Sequence, residues 1–335
     1  MRKGHSPSVS YFSIALLITT GLLLSACSSK KSPDSSTEVA VKGLHSAAFS
    51  DDGRWASVGS VHHGGSLWRT TDGERLYNWN HRDGELTTIL TSDFSPDNNW
   101  AMTAGPHSLV LWDMKEGKAV RYWTAPGEVL SIALSADANF ALLGLSDHSA
   151  VLFDVKRGGV RRTFSHGNRV RSVGLSNDGR LAVTGSEDYT AVLWDVASGK
   201  QLHRIEHTDD VQMVAISPDG RLAMSAAKYD KAVIWQTQNG EMVGEVALSA
   251  ESLRRGVRFT AATFNANGSR LLTGRPDQIV QLWDTTTLQQ VESWKLPKRD
   301  AWKPTSAAVI AVGFDSNNNA YHAAASNGML HTLKR

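Results

Sequence analysis

The sequence predicts an all-β fold of seven repeated four-stranded antiparallel sheets, and three regularities predict it. A polar turn opens at Ser50, Ser95, Ser135, Ser176, Ser217, Asn265 and Asp315, and 17 or 18 residues later a bulky residue closes a strand: Trp68, Trp112, Phe153, Trp194, Trp235, Trp283 and Leu333. Those closing residues recur at intervals of 41 to 50 residues, the length of one small sheet per repeat. The segments between them are short and alternating, and turn residues punctuate them. A repeat of this size buries its faces only against its neighbours, so the 335 residues read as one ring and not as two domains. The prediction is a seven-bladed β-propeller over residues 37–335.

The unit from Asn168 to Lys200 shows the pattern most clearly. Arg169 to Leu175 forms the innermost strand. Ser176-Asn177-Asp178-Gly179-Arg180 turns the chain, because an Asp-Gly pair accepts the positive backbone angle of a tight hairpin. Leu181–Thr184 and Ala191–Trp194 supply the second and third strands, and Gln201–Ile205 the fourth. Trp112-Asp113, Trp194-Asp195 and Trp283-Asp284, with the looser Phe153-Asp154 and Trp235-Gln236, resemble the signature of the WD-repeat propellers. That resemblance covers residues 37–335 and implies a buried hydrogen-bonded set in the fourth blade, made of His166, Thr184, Asp188 and Trp194. Partial sets follow elsewhere: Asp147 in the third blade, His207 and Ser225 in the fifth, Thr273 and Asp277 in the sixth.

The chain ends suit ring closure. No residues remain after Leu333 for a fourth strand in the last blade, and Thr37 to Gly43 precedes the first inner strand. This segment is expected to lie beside Met329–Leu333 and cover its free edge.

The N-terminus carries a second signal. Arg2 and Lys3 precede an apolar run from Tyr11 to Leu24, too short for a comfortable membrane span. Leu24-Ser25-Ala26-Cys27 follows, and then a polar stretch from Ser28. This resembles the bacterial lipoprotein signal, in which residues 1–26 are removed and Cys27, the single cysteine, is lipidated. In that family an Asp after the cysteine retains the protein at the inner membrane of Gram-negative cells. Ser28 here implies the outer membrane, with the body facing the periplasm. Residues 27–36 then read as lipidated cysteine and flexible tether, about 18 Å long as a coil. Removing residues 1–26 takes two cations from a formal charge of +2 and leaves a neutral chain, so neither nucleic acid nor an anionic membrane surface is indicated as partner. The membrane is reached through Cys27 only.

Catalytic signatures are missing. The chain has no His-Glu-x-x-His, Gly-x-Ser-x-Gly or phosphate-binding Gly-rich loop. His62, His63, His107 and His148 lie in turns without clustered carboxylates, so neither metal nor cofactor is expected. Five of the eleven tryptophans close strands and read as core.

The departures from the repeat are more informative. Three connections from an outermost strand to the next innermost strand are lengthened, by four residues into the second blade, seven into the sixth and nine into the seventh. In the resembling family such connections line the narrow face where ligands sit. The two longest are neighbours. They bring Arg254, Arg255, Arg258, Lys298, Arg299 and Lys303 to one rim with Trp302 among them, a composition typical of interface anchors. The sequence therefore predicts a non-catalytic docking platform for other envelope proteins. The alternatives are an envelope enzyme or small-ligand or metal-binding propeller, and a peptidoglycan-binding lipoprotein.

Overall fold

A computed structural model describes residue 1 and residues 30–248, 257–299, 307–317 and 319–335. Seven four-stranded antiparallel sheets surround a central channel. Their inner strands are Leu44–Phe49, Thr91–Phe94, Val129–Leu134, Val170–Leu175, Val211–Ile216, Ala261–Phe264 and Val309–Phe314, which head blades 1 to 7. The outer-to-inner connections and the turns between second and third strands form one face, called upper here. The inner hairpins form the lower face.

The repeated turn has a physical cause. In blade 4 Ser176 Oγ accepts the Leu181 N–H at 3.0 Å and donates to Asp178 Oδ1 at 2.6 Å, while Gly179 takes a φ of 67°. Ser50, Ser95, Ser135 and Ser217 accept from the fifth residue on in the same way, and Asn265 does so through Oδ1. The side chain thus closes each hairpin before the strands pair. Blades 1 to 6 also share a register shift at the closing residue, as between Leu193 and Trp194, a bulge that adds twist where the outer strand begins.

The second and third strands are buried on both faces, because each sheet is sandwiched between two others. Between blades 4 and 5, Leu193, Val211, Val214 and Trp235 pack together. Gly185 lets these sheets approach: a Cβ there would lie 2.8 Å from methyl carbons of both Val211 and Val214.

Blade 7 takes its outer strand from the N-terminus. Ser35–Glu38 pairs with Met329–Lys334, Ser35 opposite Thr332 and Glu38 opposite Met329. The strand expected over Thr37 to Gly43 therefore begins two residues earlier and ends at Glu38. Residues 39–43 are needed for the connection into blade 1. Val39 and Ala40 N–H both donate to Gly328 O, and Gly43 turns with a φ of 100° where a Cβ would meet Ser326 O at 2.5 Å. Upstream, residues read as tether also touch the body. Lys31 N–H donates to Ser293 O at 3.0 Å, Lys31 O accepts from Lys295 N–H at 2.8 Å, and Asp34 pairs with Lys334 at 2.7 Å.

Two histidines are buried at this seam. His331 Nδ1 lies 2.7 Å from Ser36 Oγ, and His322 stacks on Phe49 of blade 1 with centroids 5.6 Å apart. Burial lowers the pKa of each to about 4. The native seam holds neutral rings, whereas the unfolded chain takes up protons below the ordinary value of 6.5. Their contribution to stability is full above that pH, falls as the pH drops and levels off below about 4. Urea unfolding at pH 7.5 and 4.5 is expected to show roughly 2–3 kcal/mol lost per histidine. His331→Gln should reduce that acid sensitivity. An unchanged pH dependence in the variant would exclude the seam as its source.

Candidate interaction surface

The lengthened connections around blade 6 begin on firmly held residues. Phe259 is buried with Phe264 and Trp283, and Thr260 Oγ1 donates to Val309 O at 2.6 Å. Leu296 is buried in the core between blades 6 and 7. Of the residues expected at this rim, Arg258 is half-buried and Lys298 and Arg299 are exposed. Arg254, Arg255, Trp302 and Lys303 lie outside the described residues, as does Cys27. Arg299, exposed at this rim, also makes contacts within the chain. Its guanidinium pairs with Glu38 at 2.6 Å and donates to Val41 O, so it clamps the loop to the ring-closing strand.

The sequence reading missed three cations that join this rim. Lys295 Nζ donates to Asp277 O, and Arg275 pairs with Asp277 at 2.6 Å. Burial lowers the pKa of Lys295, Asp277 opposes that, and the nearby charges of Lys30, Arg275 and Lys298 lower it further. Lys30, Arg275 and Lys298 thus lie close enough to Lys295 to act on its charge, and together they place several cations on the edge of blade 6. Arg275 and Lys295 sit in strand and turn positions that look structural in sequence, which hid them.

The hydrogen-bonded set expected in blade 4 is complete. Trp194 Nε1–H donates to Thr184 Oγ1 at 2.8 Å, Thr184 contacts His166 Nε2 at 2.7 Å, and His166 Nδ1 lies 2.9 Å from Asp188 Oδ2. Burial pushes the Asp188 carboxyl upward, but hydrogen bonds from His166, Thr190 and the Gly167 N–H more than offset this and hold it well below the usual carboxylate range. Blade 2 has an equivalent set through His81, which contacts Thr103 at 2.8 Å and Ser108 at 2.5 Å, with Trp112 donating to Thr103 at 2.8 Å. The longer loop before blade 2 displaces His81 from its repeat position and obscured it. In blade 6 Trp283 donates to Thr273 at 2.9 Å, while Asp277 is engaged by Arg275. In blade 3 Asp147 holds its own turn through Ser149.

Blade 5 has a triad-like order: Ser225 Oγ lies 2.9 Å from His207 Nε2, and His207 Nδ1 3.3 Å from Asp230 Oδ2. Ser225 is completely buried, so no substrate reaches its oxygen. Burial lowers the pKa of His207 despite the opposing charge of Asp230. This group reads as structure and not as a nucleophile with its base. His62, His63, His107 and His148 are exposed in turns, and among the described residues no three His, Cys, Asp or Glu gather to hold a metal.

On the lower face a cavity of about 240 Å³ opens into the channel, lined by all seven blades. Its collar is the last apolar residue of each inner strand, such as Phe49, Phe94 and Phe314. Asp51 opens into the mouth but is hemmed in by the surrounding turns, and this desolvation, with Asp52 beside it, raises its carboxyl to about 6. Burial raises Asp93 to about 7 against the Leu134 N–H that it accepts, and Asp51 adds to the rise. Both carboxyls are raised toward neutrality, but the hydroxyls that line the cavity with them, Ser50, Thr263 and Ser316, have no histidine among the lining residues to activate them.

Thr184→Val keeps the shape of blade 4 but strands both Trp194 N–H and His166. Unfolding by urea is expected to show a loss of about 2–4 kcal/mol. Ser225→Ala removes a partner from His207 alone, since Trp235 Nε1 has none in blade 5, and should cost about 1–2 kcal/mol. Equal losses would mean that the bond from Trp194 to Thr184 adds nothing to stability.

Known proteins resemble the chain locally. Residues 158–195 and 199–236 match the family model for the WD domain, G-beta repeat. Two curated relatives are eukaryotic translation initiation factor 3 subunit I. The protein of Scheffersomyces stipitis is 32% identical over 83 residues, 24% of this chain and 23% of that protein. The Aspergillus terreus protein is 34% identical over 73 residues, covering 22% and 21%. The chain thus spans less than a quarter of the length of these relatives. The first family match starts before the outer strand of blade 3 and ends on Asp195, the second ends on Gln236, so each closes one residue after the Trp that the repeat spacing singles out. The seven closed sheets make the fold a seven-bladed β-propeller, and two of its repeats are similar to the WD domain, G-beta repeat.

Proposed function

We propose that the protein is a non-catalytic docking platform of the bacterial cell envelope. Its lipidated Cys27 anchors it at the outer membrane, and its upper face binds other envelope proteins. The observation that carries this reading is the convergence of Lys30, Arg275, Lys295 and Lys298 on the edge of blade 6, where the two longest connections begin. Cations in excess over the neighbouring Asp277 and Glu292 on a rigid frame attract acidic segments and speed their encounter. Arg254, Arg255, Arg258, Lys298 and Lys303 form the basic contact in this proposal, Trp302 is its apolar anchor, and Arg299 fixes the loop that carries them. The two relatives are named as a subunit of a translation initiation factor, which fits a platform that works by assembly.

A photo-crosslinking residue at Trp302 should capture a discrete protein in living cells, and one at Lys115, in a lower-face turn, should not. Equal labelling at both positions, or none at either, would reject this face as the docking surface. Cys27→Ala should release the chain from the membrane fraction and remove the acyl mass from its N-terminal peptide. Membrane retention of that variant would defeat the anchoring proposal independently of the docking one.

A further inference from the structure

A second concave site lies on blade 2, away from the rim around blade 6. The lengthened connection into this blade folds into a compact loop over residues 80–88. Asn80 Oδ1 accepts the N–H groups of Gly65 and Thr87, each at 3.2 Å, and His81 N–H donates to Thr87 Oγ1 at 2.8 Å. The buried His81 ring ties the loop to Ser108 and Thr103 beneath it. Between this loop and the outer strand Lys118–Thr124 is a cleft of about 540 Å³, within the usual range of small-ligand sites. Arg82, Glu85, His107, Ser108, Tyr122 and Thr124 are among the residues that line it.

Tyr122 is the departure that demands an explanation. Its register position, two residues before the closing residue across the sheet, is occupied in the other blades by Asn78, Thr163, Arg204, Glu245, Ser293 and Ser36. Six blades place a polar side chain there. Blade 2 places an aromatic ring that is 57% exposed. Among the described residues no other ring stacks on it. A large aromatic face left open beside a cleft is a platform for a flat apolar surface.

The rest of the lining narrows the ligand. Arg82 and Glu85 are 3.8 Å apart, so their charges offset and the cleft selects neither a phosphate nor a simple cation. What they present is a planar donor fork beside a planar acceptor, with His107 and the hydroxyls of Thr87, Thr88, Ser108 and Thr124 around them. An aromatic platform within a neutral ring of donors and acceptors complements a pyranose sugar. The sugar's C–H face covers the ring, and its equatorial hydroxyls reach the paired groups. We propose that this cleft binds a neutral hexopyranose unit of an oligosaccharide, stacked on Tyr122 and hydrogen-bonded by Arg82, Glu85 and His107. The site is separate from the blade 6 rim and does not depend on the docking function.

The test uses the mature full chain with two probes, chitotetraose and cellotetraose, followed by calorimetry and saturation-transfer NMR. Binding of at least one is expected, with transfer strongest to protons on one face of a ring. The probe that binds distinguishes an N-acetylated polymer from a plain glucan as the source of the sugar. Tyr122→Ala should weaken binding roughly tenfold, and Tyr122→Phe, which keeps the ring, should restore it. Tyr122 is exposed at an outer edge, so unfolding midpoints of both variants should match the parent. Failure of both sugars to bind, or binding that Tyr122→Ala leaves unchanged, would overturn the assignment. So would a crosslinker at Tyr122 that captures a protein while neither sugar binds.

Discussion

Ring closure is the constraint on which the rest of this structure depends. Each sheet is apolar on both faces and is covered only by its neighbours, so an open ring would leave two such faces in water. Closure here is made by Ser35–Glu38 against Met329–Lys334, a pair of strands from opposite ends of the chain. The strands of that pairing are separated in sequence by the whole of the ring, which makes it a highly non-local contact. Reinforcement accordingly gathers there. Ser36 meets His331, Asp34 meets Lys334, and Arg299 reaches from the loop before blade 7 to Glu38 and Val41. A residue that looks like a binding cation in sequence thereby also helps to keep the ring shut.

The blades were legible in the sequence because their determinants are local. A Ser that accepts an N–H five residues on, a turn glycine and a closing Trp are fixed by contacts within one hairpin, so they recur at constant spacing. The closing strand was harder to place. Val39-Ala40-Val41 has the composition of a strand, yet residues 39–43 serve as the crossing into blade 1 because Gly43 must turn against Ser326 O. That contact joins residues far apart in sequence, and no local pattern announces it. His81 was hidden for a related reason. The longer loop shifted its spacing to Trp112, and Ser108 replaced the expected Asp as its partner. The cations of the blade 6 rim come from a strand, a turn and the N-terminal segment, which only the folded ring brings together.

The internal polar groups show how similar blades tolerate different chemistry. Blades 2 and 4 satisfy every member of a Trp–Thr–His chain, whereas blade 5 leaves Trp235 Nε1 without a partner. A buried unsatisfied N–H costs on the order of 1–3 kcal/mol. Blade 5 carries that cost because Trp235 is fully buried against Leu193, Val211 and Val214, and apolar contact of this extent outweighs one lost hydrogen bond. Shape is therefore the stricter requirement on a closing residue and hydrogen bonding the looser one. This explains how Phe153 and Leu333 can fill the position without any polar atom.

The same reasoning separates structure from function around the ring. Where all seven blades agree, a residue serves the repeat. Where one blade departs and the departure points outward, the repeat does not account for it. Blade 6 departs through charge and blade 2 through an open aromatic ring beside a cleft. Two blades lie between one and the other by the shorter way round, the widest separation that seven blades permit. At that distance two ligands neither compete for space nor share side chains, so their binding energies add. With both proposed sites filled, a rigid ring held at one edge by its N-terminal strand would hold a protein at blade 6 and an oligosaccharide at blade 2 at a fixed distance. The gain from such double engagement is one of effective concentration and needs no movement of the blades.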